Sequence, residues 1–125
     1  MAKTILLVDD DIMLADSISE ILSLHGYFVR IANSAEDAIQ LMYEGLPDLV
    51  VSDYWLDGMT GIAFANILQE SPQTANIPFL LLTGVDSSQL SGDFEFDNIV
   101  RKPFDIQAFI RQIETYLSDN HAPLG

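Results

Sequence analysis

Ile5-Leu6-Leu7-Val8 is a continuous aliphatic run, and it stops at Asp9-Asp10-Asp11. A strand with one wet face alternates apolar and polar residues, whereas an unbroken run is the pattern of a strand covered on both faces. Similar short runs recur along the chain. Tyr27 to Ile31 is β-rich. Pro47 introduces Leu49-Val50-Val51, which ends at Ser52-Asp53. Pro78 starts Phe79 to Leu82, closed by Thr83-Gly84, and Ile99-Val100 precedes Arg101-Lys102-Pro103.

Helical spacing fills the intervals. Leu14, Ala15, Ile18, Ile21 and Leu22 form a stripe over Ile12 to His25, with Gly26 as terminator. Ser34, with Asp37 three residues on, has the spacing of a capping box, opening a helix with Ala35, Ala38, Ile39 and Met42 inward and Gly45 at its end. The turn-rich segment Leu56 to Gly61 leads into a helix with Phe64, Ala65 and Leu68 on one side, running to Ser71-Pro72. Asp105 caps a last helix with Ile106, Phe109, Ile110, Ile113, Tyr116 and Leu117 inward. Val85 to Asp97 has weak helical periodicity with room for a single turn, and Asn120 to Gly125 has the composition of a frayed tail. Strands alternating with amphipathic helices imply a doubly wound α/β domain with a parallel sheet, spanning 1–119 with a tail at 120–125.

The 125 residues suit one domain, and 49% hydrophobic content supplies a substantial core. Five Lys and Arg against nineteen Asp and Glu give a net charge of −14. That balance argues against binding nucleic-acid backbone or an anionic membrane, since both need a basic patch. It suits a protein that handles a cation. The absence of cysteine excludes disulfides, thiol catalysis and cysteine zinc sites. No stretch approaches the roughly 20 apolar residues of a membrane span, so the expected location is cytoplasmic.

In doubly wound sheets, ligands bind beyond the carboxyl ends of the strands. Those ends carry Asp9, Asp10 and Asp11, then Asp53, Thr83-Gly84 and Lys102. Each has an ordinary explanation alone: helix capping for the aspartates, turn chemistry for Asp53 and Thr83-Gly84, a solvated lysine before a bend. Their convergence on one edge is harder to attribute to turns. Two carboxylates ~4 Å apart repel by roughly 4 kcal/mol at an effective dielectric near 20, and Lys102 supplies only one counter-charge. A hard divalent cation with oxygen ligands, Mg²⁺ foremost, is the natural complement. A metal, an attacking carboxylate, a lysine and a hydroxyl are the parts of phosphoryl transfer through an acyl-phosphate.

With these residues in place, the chain resembles the receiver domain of two-component response regulators from Lys3 to about Asp119. The resemblance rests on Asp9-Asp10 after Ile5-Leu6-Leu7-Val8, on Asp53 within Asp53-Tyr54-Trp55-Leu56-Asp57-Gly58-Met59-Thr60-Gly61, on Thr83-Gly84 and on Lys102-Pro103-Phe104. It implies a flavodoxin-like (βα)5 fold and phosphorylation of Asp53 by a phosphohistidine on a histidine kinase or histidine phosphotransfer protein. It also implies Mg²⁺ ligation by Asp10, Asp53 and the Trp55 backbone carbonyl, with Asp9 acting through water. Lys102 and the backbone of Trp55 and Gly84 would bind phosphoryl oxygens, Thr83 would swing toward them as a switch, and the Lys102–Pro103 peptide would be cis.

The sequence departs from that pattern in several places. Asp57 stands where the family often has proline, adding an acid near the site. Ile99 occupies the place of the switch aromatic, and Phe96 lies three residues earlier. The segment from Thr83 to Lys102 is about one helical turn short, which implies a shortened or irregular fourth helix. Trp55 and Val85, at the positions that tune dephosphorylation, are apolar; they would shield the acyl-phosphate and slow its hydrolysis, although Trp55 also suits a partner-docking surface. His25 and His121 have no companion at ligand spacing, and Asp86, Asp93, Glu95 and Asp97 form a solvated acidic run.

The expected function is a phosphoacceptor without an attached effector, a monomer or weak dimer signalling through an unknown downstream protein. The alternative is a receiver fragment of a hybrid histidine kinase. A small Mg²⁺-dependent aspartyl-phosphate phosphatase would carry a second acid where Trp55 stands. A flavin carrier would need a glycine-rich phosphate loop where three aspartates stand. A receiver that only binds, without phosphorylation, is at odds with Asp10, Asp53, Thr83 and Lys102 all being present.

Overall fold

Each of the expected aliphatic runs is a strand of one parallel sheet. The computed structural model describes residues 2–83, 99–101 and 105–117. In chain order the elements are β1 (Thr4–Val8), α1 (Ile12–Leu24), β2 (Phe28–Ala32), α2 (Ala35–Glu44), β3 (Leu49–Asp53), β4 (Trp55–Leu56), β5 (Met59–Thr60), α3 (Gly61–Gln69), β6 (Phe79–Thr83), β7 (Ile99–Arg101) and α4 (Ile106–Leu117). The sheet order is β2-β1-β3-β6-β7, all neighbours parallel. Counting only the strands of this sheet, that is the 2-1-3-4-5 order of the flavodoxin-like doubly wound fold.

Alternation along the strands divides the core. Leu6, Val8, Val50 and Leu81 pack with Ala38 and Met42 of α2 and with Phe64, Ala65 and Leu68 of α3. Ile5, Leu7, Leu49, Val51, Leu80 and Leu82 point the other way, onto Ala15, Ile18 and Leu22 of α1 and Phe109, Ile110 and Ile113 of α4. The unbroken runs thus serve two cores at once, each fully buried aliphatic side chain contributing about 1.5–3 kcal/mol. Side-chain oxygens start all four described helices: Asp11 accepts from the Leu14 N–H at 3.2 Å, Ser34 from Asp37 at 3.0 Å, Thr60 from Ala63 at 3.1 Å and Asp105 from Gln107 at 3.0 Å.

Two details differ from the sequence expectation. Strand β2 starts at Phe28 because the Tyr27 N–H is taken by the Leu22 carbonyl at the end of α1 (3.2 Å). The turn-rich segment after Asp53 contains an antiparallel hairpin, pairing Trp55 with Thr60 and Leu56 with Met59. Gly58 sits at its turn with φ +86°, the left-handed value required of the second central residue of a type II turn. The expected irregular fourth helix, the Lys102–Pro103 peptide and the tail at 120–125 lie outside the described residues.

Candidate functional site

Register brings the expected residues to one edge. Val8 pairs with Ser52, which sets Asp9 level with Asp53, and Asp53 pairs with Leu82, which sets Thr83 one step beyond. Strand order reverses between β1 and β3, so Asp9 and Asp53 flank the crevice where doubly wound sheets bind ligands.

Asp9 is fully buried. Its N–H donates to the Ala32 carbonyl (3.0 Å), and its Oδ1 accepts from the Asp11 N–H (2.9 Å). Asp10 is exposed and Asp53 half-buried; the Asp53 Oδ1 accepts from the Tyr54 N–H at 2.9 Å. One carboxylate oxygen from each of Asp9, Asp10 and Asp53 lies within 4.8 Å of the others. At that separation each pair of negative charges repels by roughly 1 kcal/mol in bulk water and 3–4 kcal/mol at an effective dielectric of 20. Three carboxylate oxygens so placed could hold a hard divalent cation.

The backbone around Asp53 is held from three sides. The Tyr54 N–H donates to the Leu82 carbonyl (2.8 Å), the Gly61 N–H to the Tyr54 carbonyl (2.6 Å), and the Ser52 hydroxyl to the Asp53 carbonyl (2.9 Å). Gly61 opens α3 directly against the Asp53 backbone. A Cβ there would fall 2.6 Å from Leu81 Cδ1 and closer still to the Asp53 carbonyl oxygen. Sequence reasoning assigned no role to Ser52 or Gly61. The available signal for Gly61 is a poor helix former at the first position of a helix, where Thr60 already supplies the cap.

Thr83 is buried at the last position of β6 and pairs with Arg101, the residue before Lys102. Trp55 is 63% exposed, its indole meeting the Tyr54 ring edge-on at 4.8 Å and 80°. Asp57 is exposed at the hairpin turn and is not among the three clustered acids. His25 uses Nδ1 on the Ile21 carbonyl (3.1 Å), a local contact at the end of α1. Ile99 is described as a strand position. Lys102, Gly84, Val85, Phe96, His121 and the acidic run Asp86, Asp93, Glu95 and Asp97 lie outside the described residues. Among the described residues, no helix is long and apolar enough to cross a membrane.

Comparison with known proteins agrees with this geometry. Residues 5–114 match the family model for the response regulator receiver domain. The chain is 29% identical over 132 residues to the phosphate regulon transcriptional regulatory protein PhoB of Pseudomonas aeruginosa, covering 99% of this chain and 58% of that protein. It thus spans a little over half the length of that relative. Among solved structures, a protein of Chloroflexus aurantiacus described as a response regulator aligns with TM-score 0.83 at 32% identity, covering 94% of this chain and 99% of the other. The chemotaxis response regulator CheY4 of Vibrio cholerae aligns with TM-score 0.84 at 24% identity, covering 94% and 100%, a likeness of fold.

Proposed function

The chain belongs to the response regulator receiver domain family, and from that membership we propose that Asp53 is the phosphoacceptor of a Mg²⁺-dependent transfer from a phosphohistidine. The observation that carries this reading is the cluster of Asp9, Asp10 and Asp53 oxygens within 4.8 Å at the strand ends. Asp10, Asp53 and the Trp55 backbone carbonyl would hold Mg²⁺ directly, with Asp9 acting through water. When bound, the ion neutralises carboxylate and phosphoryl charge.

The chain's own residues do the remaining work. A carboxylate oxygen of Asp53 attacks phosphorus; the new P–O bond forms as the P–N bond of the donor breaks, and the electron pair leaves on the imidazole nitrogen. Tyr54 fixes the other carboxylate oxygen through its N–H, while Ser52 and Gly61 hold the acceptor's backbone. Lys102 and the N–H groups of Trp55 and Gly84 bind phosphoryl oxygens, and Thr83 brings its hydroxyl to them as the switch. Trp55 and Val85 shield the acyl-phosphate, and Ile99 in place of an aromatic changes how the Thr83 movement is relayed. The donor is a histidine kinase or histidine phosphotransfer protein, acting in the cytoplasm, and the phosphorylated surface is read by a downstream protein.

Incubation with Mg²⁺ and acetyl phosphate, followed by intact-mass analysis, tests the reading. Wild type gains one phosphoryl group and Asp53→Ala gains none. Modification of Asp53→Ala to the wild-type level overturns it. In the same assay Trp55→Asn shortens the phosphoryl lifetime, and an unchanged lifetime removes the shielding role.

A further inference from the structure

A groove of about 190 Å³ lies between the C-terminal halves of α2 and α3, lined by Ile39, Met42, Tyr43, Leu46, Ile67 and Leu68. Tyr43 is 80% exposed, Leu46 52% and Ile67 40%. One end is closed by the turn after α3, where the Thr74 hydroxyl donates to the Leu68 carbonyl at 2.5 Å and the Thr74 N–H to Ser71 at 3.1 Å. The floor is therefore apolar and its frame is hydrogen-bonded. Helices in this fold run opposite to the strands, so the groove sits at the pole of the sheet opposite Asp53.

Its size selects the kind of occupant. The volume is below the roughly 300–1,000 Å³ of small-molecule pockets and suits one or two anchoring side chains of another chain. Charge selects the chemistry. Neither Ala35–Glu44 nor Gly61–Gln69 contains lysine or arginine; Glu44 and Glu70 are the charged residues at their C-terminal ends, while Glu36 and Asp37 lie in the first turn of α2, toward the other pole. Both helices also direct their negative dipole ends toward this pole, with no basic residue in the last turn. Arg30 meets the end of α2 from β2, through the Leu41 carbonyl (3.3 Å) and Glu44 (3.4 Å); the end of α3 is met by the Thr74 hydroxyl. A second copy would bring another −14 and its own Glu44 and Glu70 at the same helix ends, so self-association here is opposed by charge.

We propose that the α2–α3 groove docks a basic amphipathic helix of a partner protein, its apolar stripe over Ile67 and Tyr43 and its lysines or arginines beside Glu44 and Glu70. Helix-in-groove recognition reads apolar residues at i, i+3 and i+7 along one helix face, of which one or two enter the groove while the rest lie along its exposed walls, and the flanking cations complement Glu44 and Glu70. Because docking leaves the acidic pole open, it proceeds alongside phosphoryl transfer and does not depend on it.

The probe is a fluorescein-labelled synthetic helix with leucines at i, i+3 and i+7 and lysines beside them. Two controls accompany it, one with serines replacing the leucines and one with glutamates replacing the lysines. The leucine–lysine peptide binds saturably at one per chain, and Ile67→Ser or Tyr43→Ser each weaken it by about tenfold, the scale of a loss near 1.4 kcal/mol. Both residues are exposed, and circular dichroism confirms that the variants fold. Glu44→Lys with Glu70→Lys reverses the preference toward the glutamate peptide, and Asp53→Ala changes nothing. Any one of four results overturns the proposal: no binding, equal binding of the serine control, insensitivity to Ile67→Ser and Tyr43→Ser, or self-association of the chain that Ile67→Ser abolishes.

Discussion

The two poles of the sheet break the usual sorting of residues in opposite senses. At the carboxyl ends of the strands, Asp9, Ser52 and Thr83 are buried polar residues, with Asp10 and Asp53 crowded against the first of them. At the other end, Tyr43, Leu46 and Ile67 are exposed apolar residues lining a groove between α2 and α3. Buried polar groups and exposed apolar patches are the informative departures from ordinary burial. The first pole concentrates charge that folding alone would disperse, and the second leaves outside what folding alone would cover. Stability should therefore be sensitive to a single methyl group at one pole and tolerant of it at the other.

A matched pair of substitutions puts that to the test. Alanine elsewhere in a helix gains about 1 kcal/mol over glycine. At Gly61 the added methyl overlaps the Asp53 carbonyl and Leu81, so Gly61→Ala should destabilise by about 1–3 kcal/mol in urea unfolding. Gly45, at the end of α2 beside the groove, has extended φ of 175° and nothing within 4 Å of an added Cβ. Gly45→Ala should stabilise by about 0.4–1 kcal/mol, through the unfolded chain. Destabilisation by both would erase the contrast.

Metal binding sharpens the comparison next. Asp10→Asn should weaken Mg²⁺ binding in calorimetry by about tenfold, or 1.4 kcal/mol, whereas Asp57→Asn stays within about twofold. In chelator the sign reverses. Removing one of three crowded charges should raise the stability of Asp10→Asn by about 1 kcal/mol, and saturating Mg²⁺ should cancel the gain.

The smallest expected effect concerns Tyr27, where β2 leaves α1. Burial first, and the Glu114 carboxylate second, hold its phenol above the ordinary value of 10.0. The folded state thus keeps a proton that the unfolded chain releases, and its contribution is complete below pH 10. Stability should fall as pH rises from about 10 toward the raised folded value. Tyr27→Phe should flatten that alkaline slope, measured by unfolding across the range.

What the sequence made legible was what local pattern writes down. Ile5 to Val8 and Leu49 to Val51 announce two-sided burial because every residue in them is aliphatic, and a parallel sheet puts Asp9 and Asp53 on one edge as a consequence. The hairpin Trp55–Leu56 with Met59–Thr60 escapes because two-residue strands have no period to detect. Gly61 sits within the matched motif, yet its reason is a contact across space with a carbonyl eight residues earlier and a leucine twenty residues later. Ile67 and Tyr43 resemble ordinary surface neighbours of a core stripe; only the setting of α2 beside α3 turns them into the walls of a groove.

Trp55 is the chain's single tryptophan, two residues after Asp53 and edge-on to Tyr54. All indole emission from this protein therefore originates two residues from Asp53. On the proposed reading, a cation settling among Asp9, Asp10 and Asp53, or a phosphoryl group arriving on Asp53, would change the field around that one fluorophore. The unlabelled chain would then carry its own optical gauge of that site, readable in real time and silent about the opposite pole.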